Sequence, residues 1–81
     1  MPAAKEITAT TQRLMSEDIV TLAQATLLFP EGSRPDRKSL NRWVIRGVDG
    51  TKLEAIRLGR ILYTSVQAVT RFIDARSADL R

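Results

Sequence analysis

Seven side chains in this 81-residue sequence could act together on one kind of partner. Lys38, Ser39, Asn41, Arg42 and Arg46 lie close together in the chain, and Arg57 and Arg60 follow soon after. Their shared chemistry is hydrogen bonding to a nucleic acid. Arginine can bond O6 and N7 of guanine together, and asparagine can bond N6 and N7 of adenine together. Asn41 and Arg42 are therefore candidates for base edges. Lys38, Arg46, Arg57 and Arg60 suit phosphate, which positions a protein without reading sequence. Ser39, near a helix start with free backbone N–H groups, is a further phosphate candidate.

Other chemistries find less to work with. The sequence has no cysteine and no histidine, which excludes disulfides and thiolate metal sites and removes the usual general base. No DxD-like cluster suggests a carboxylate site for Mg²⁺. The expectation is a protein that is not an enzyme, with no cofactor and no metal. No apolar run approaches the roughly 20 residues of a membrane span, and residues 1–6 lack the apolar core of a signal peptide. The expected compartment is the cytoplasm, in association with DNA and not with a membrane.

The net charge of +4 is unevenly spread. Residues 1–33 carry two cations against four carboxylates, residues 34–60 eight against three, and residues 61–81 three against two. A basic middle third favours a polyanion and speeds encounter with it. A solvated charged face is the bland alternative.

These side chains need elements to hold them. Residues 1–18 read as an N-terminal arm or short helix, with 11–17 making a turn or two and Leu14 and Met15 touching the body. A helix is predicted over 20–29, capped by Thr21 with Gln24 at the capping-box spacing, and Leu22, Ala25, Leu28 and Phe29 make its apolar face. Pro30 stops it, and 30–36 is a proline- and glycine-punctuated connector. Asp36 caps a second helix over 37–46. Leu40, Trp43 and Val44 form its buried stripe, with Trp43 as core anchor, and Lys38, Asn41, Arg42, Ile45 and Arg46 lie broadly opposite. Gly47 ends it with positive φ.

A turn over 48–51 leads into two short strands near 53–58 and 61–64. Gly59–Arg60 between them suits a turn with glycine first. That register sets Leu58 opposite Ile61, Ile56 opposite Tyr63 and Arg57 opposite Leu62. Thr64 or Ser65 caps a last helix, in which Val69, Phe72, Ile73 and Arg76, joined by Ala68, share a stripe. Phe72 and Ile73 are expected to close the core. Residues 77–81 are a C-terminal tail. The fold class is mainly α with a small β-hairpin wing.

The order of helix, loop, basic helix with Arg42–Trp43, Gly47, two-stranded wing and helix resembles the winged helix-turn-helix of the MerR and excisionase superfamily. The likeness is strongest to small excisionase-like DNA-binding proteins of bacteria and phage. It is carried by residues 22–30, Ser39, Arg42, Trp43, Gly47, Gly50, Leu53–Glu54, Gly59 and Tyr63–Thr64–Ser65, and spans residues 19–76. The resemblance implies that the helix bearing Arg42 is the recognition helix, with contacts from Lys38, Ser39, Asn41, Arg42 and Arg46. It implies wing contacts from Arg57 and Arg60. The sequence departs from the pattern in two ways: Asn41 stands where an aromatic residue is common, and Ile61 and Leu62 stand where the wing often carries basic residues.

The implied function is sequence-specific binding of double-stranded DNA by a recombination directionality or architectural factor. Its partners would be a site-specific recombinase (an integrase) and further copies of itself as a homo-oligomer on DNA. A small transcriptional regulator of the same fold is the alternative. A protein–protein interaction module is the alternative of a different class. At single residues the competing readings are structural. Arg46 could offset the helix dipole, Arg57 could pair with Glu54 or another surface acid, and Ile45 could cover the wing instead of meeting a thymine methyl.

Overall fold

The computed structural model describes residues 9–80. The first eight residues of the expected arm, and Arg81 of the expected tail, lie outside them. In chain order the elements are α1 (Ala9–Met15), β1 (Ile19–Thr21), α2 (Leu22–Thr26), α3 (Arg37–Ile45), β2 (Ile56–Leu58), β3 (Ile61–Ser65) and α4 (Val66–Arg76). A 3₁₀ turn, Ala78–Leu80, follows. The three strands form one antiparallel sheet in the order β1-β3-β2, so the fold is α+β, with four helices around a small sheet.

The sheet corrects the reading of mainly helix plus a two-stranded hairpin. Ile19, Val20 and Thr21 are β-branched, and such side chains pack well on a pleated surface. They pair with Ser65, Thr64 and Tyr63. The helix predicted over 20–29 therefore begins only at Leu22. Thr21 caps it as expected: the hydroxyl accepts from Gln24 N–H at 3.1 Å, and the Gln24 amide oxygen accepts from Thr21 N–H at 2.9 Å. The helix also ends early. The Thr26 hydroxyl donates to the Ala23 carbonyl at 2.6 Å, and residues 27–29 continue in tighter bonds from each N–H to the carbonyl three residues back. Pro30 disfavours the helical conformation at Phe29.

The α3 segment forms where expected. Asp36 accepts from Ser39 N–H at 2.8 Å, and Gly47 follows the helix at φ 76°. An added Cβ at Gly47 would meet the Thr51 carbonyl oxygen at 2.5 Å, so both backbone conformation and space require glycine there. The β2–β3 register matches the expected one at all three pairs. Gly59 takes φ 66°, while Arg60 keeps a negative φ, the pattern of a type II′ turn.

Leu14, Leu22, Ala25, Leu40, Leu53, Ile56, Ala68, Val69 and Phe72 form the core, and Trp43, Val44 and Phe29 pack against it. Trp43 stacks on Phe72 with ring centroids 5.1 Å apart and meets Phe29 edge-on at 6.1 Å. It anchors the core from its border, half-buried. Several apolar residues expected inside face out instead: Met15, Leu28 and Ile73 are exposed. Met15 and Ile73 lie on α1 and α4, and Leu28 lies in the turn that follows α2.

The elements on the far side are held by polar contacts between distant segments. Arg71 bonds Glu17 at 2.6 Å and Glu54 at 2.6 Å, and Arg13 bonds Glu54 at 2.7 Å. Ser65 caps α4 by accepting from Ala68 N–H at 2.8 Å, and its own hydroxyl donates to Glu17 at 2.7 Å. The buried Thr64 hydroxyl donates to the Glu54 carbonyl at 2.7 Å. The Arg71 hydrogen bond, followed by that of Ser65, holds the Glu17 carboxyl below its usual range. Glu17 and then Glu54 raise the guanidinium of Arg71 above its own.

Candidate nucleic-acid interface

An open groove of about 520 Å³ runs between α3, the start of α2 and the β2–β3 hairpin. Helix α3 contributes Arg37, Lys38, Asn41 and Ile45 to it, and the hairpin contributes Arg57, Arg60, Ile61 and Leu62. The spacing on α3 follows from helix geometry: residues 37, 38, 41 and 45 fall within about 100° of one another. They flank the Leu40–Val44 stripe on the side that faces the hairpin across the groove. The hairpin's two arginines reach the same groove because one lies on β2 and the other in the turn at the tip.

The lining holds four cations and no carboxylate. None of the four takes part in an ion pair among the described residues, where the pairs join Arg13 and Arg71 to Glu17 and Glu54. The alternative for Arg57 finds no support among the described residues: Glu54 bonds Arg71 and Arg13, and no other carboxylate pairs with Arg57. Arg37, Lys38, Arg57 and Arg60 are all exposed. Four cations outside any such ion pair, around one concavity, focus a positive potential into it.

The residues singled out in the sequence divide into two sets. Lys38, Asn41, Arg57 and Arg60 come together in the groove. Ser39, Arg42 and Arg46 do not line it. They lie further round α3, roughly opposite Leu40 and Val44. Arg42 is exposed and donates to the Ser39 hydroxyl at 3.4 Å. Arg46 is the C-cap, its N–H bonded to the Arg42 carbonyl. Ser39 is a correction: its N–H is not free for a phosphate, because the Asp36 carboxylate takes it at 2.8 Å. That backbone bond, with the Ser39 side chain and the nearby Lys38 and Arg42 adding to it, holds the Asp36 carboxyl below its usual range.

Ile45 is the second correction. It is 59% exposed and does not cover the hairpin. Arg37 was missed. Its position directly after the cap residue gave it the look of a helix-start residue, and only the placement of the hairpin across the groove shows which flank of α3 becomes a wall.

Residues 21–77 match a family described as a protein of unknown function, DUF1580. The chain belongs to the DUF1580 family. No curated protein and no solved structure matches it. The matched span of this DUF1580 protein contains both walls of the groove, from Thr21 through α3 to the hairpin. Among the described residues no group of three potential metal-ligating side chains comes together, and no helix is long and apolar enough to cross a membrane.

Proposed function

We propose that this DUF1580 protein binds double-stranded DNA as a winged helix-turn-helix, with α3 as recognition helix in the major groove and the β2–β3 hairpin as the wing. One observation carries the reading: the groove between them is lined by four cations and no carboxylate. An α-helix with side chains is about 10–12 Å across, and the major groove of B-DNA is about 12 Å wide. With α3 in the groove, Arg57 and Arg60 extend to one side of it, toward the adjacent phosphates. Arg42 and Arg46, on the outer flank of α3, are placed to meet backbone on the other side.

The narrower role we propose is that of an excisionase-like architectural factor working beside an integrase, with several copies on one DNA. The resemblance in the basic helix and hairpin supports it. A transcriptional regulator would use the same surface. A protein-docking role draws its support from the exposed Leu58 and Ile61 on the hairpin. Titration of the protein into a labelled mixed-sequence duplex separates DNA binding from docking. Binding that weakens steeply with added salt is expected, whereas an absence of duplex binding at low salt overturns the proposal.

A further inference from the structure

Resting on the duplex-DNA reading, we infer that Asn41 and Ile45 make this chain select A·T pairs at the centre of its site. Asn41 reads an adenine and Ile45 the methyl group of a thymine one or two pairs away. Both side chains are exposed and both line the groove, one helical turn apart. From residue 41 to residue 45 the helix rises about 6 Å, and stacked base pairs lie about 3.4 Å apart. The two side chains therefore span one to two base-pair steps.

The division of charge in the groove favours this assignment. The cations Arg37, Lys38, Arg57 and Arg60 border the groove, and the neutral Asn41 and Ile45 share one face of α3 between them. In that arrangement the cations meet phosphates and the neutral side chains meet base edges. Asn41 carries the donor–acceptor pair that matches adenine N7 and N6. Scattered exposed apolar residues are ordinary on a protein surface. Ile45 is not scattered, for Ile61, 50% exposed, and Leu62 line the same groove. The thymine C5-methyl is the apolar group that the major groove presents to such a surface. Arg42, whose fork would suit guanine, does not line the groove and lies beside Ser39.

The test starts with selection from a random duplex library, followed by binding to the winning duplex and two altered forms. In one, each thymine of the preferred step is replaced by deoxyuridine, which removes only the methyl group. In the other, the adenine is replaced by guanine with its paired base. Loss of the methyl contact is expected to weaken binding about 4-fold, and loss of the bidentate pair about 5- to 150-fold. Ile45→Ala should bind the thymine and deoxyuridine duplexes equally, and Asn41→Ala should bind the adenine and guanine duplexes equally. Both variants should melt with the native protein, since both residues are exposed. Salt-dependent binding with no enrichment of A·T pairs, or with discrimination that survives both substitutions, overturns this inference and leaves DNA binding standing. No binding to any duplex overturns both.

Discussion

Replacing Arg57 and Arg60 together by alanine should change how salt governs DNA binding while leaving the fold intact. Each phosphate neutralised by a cation contributes about −0.9 to the slope of log K against log salt. The four groove cations together with Arg42 and Arg46, if each meets one phosphate, give a slope near −5.4, and the hairpin pair accounts for a third of it. Between about 50 mM and about 200 mM salt, the native protein should lose about 1,800-fold in affinity and the double variant about 150-fold. Both arginines are exposed, and neither takes part in an ion pair among the described residues. Stability should therefore move by no more than about 0.5 kcal/mol. Fluorescence anisotropy on a labelled duplex, read at several salt concentrations, measures both slopes. If the double variant keeps the native slope, the hairpin does not touch phosphate and the assignment of the groove wall is wrong.

Three further outcomes test the framework that holds the groove. Trp43→Ala removes an indole stacked on Phe72 and edge-on to Phe29. Because the ring is only half-buried, a loss of about 3 kcal/mol is expected, seen as a fall of about 3 M in the urea midpoint. An unchanged midpoint means the ring is not an anchor. Gly47→Ala places a Cβ 2.5 Å from the Thr51 carbonyl oxygen at a φ of 76°, and should cost more than about 1 kcal/mol in the same melt; neutrality would refute the close approach. For acid, the carboxyls of Glu17 and Asp36 are held below their ordinary values of 4.5 and 3.8. Their contribution is full above those values and is lost as pH falls through the lower folded-state pKa. The melting temperature should thus decline below about pH 4.5, and Glu17→Gln should flatten part of that decline; an identical acid profile in the variant would break the link to Arg71.

What the sequence made legible was local. The Thr21–Gln24 box, the Asp36 cap, the Gly47 stop and the Gly59–Arg60 turn each rest on residues a few positions apart. The structure matches them and the strand register they impose. The strand Ile19–Thr21 was hidden because its partner, β3, is more than forty residues away, and a capping box that starts on its last residue, Thr21, extends the helical pattern backward. The Arg71 network was hidden for the same reason: Glu17 and Glu54 share no spacing with Arg71 that a helix or hairpin would explain. At the candidate interface, helical periodicity separated the core side of α3 from its solvent side. It did not show that the hairpin faces one flank only. That asymmetry takes Arg37 and Ile45 into the groove and leaves Arg42 and Arg46 outside it.

The most direct test of the DNA-binding claim is to map backbone amide chemical shifts as a short duplex is added to the labelled protein. The largest changes are expected in residues 37–45 and 57–62, the two walls of the groove. Changes concentrated instead around Arg13, Glu54 and Arg71, or no changes at all, would contradict the claim that this groove is a DNA-binding surface.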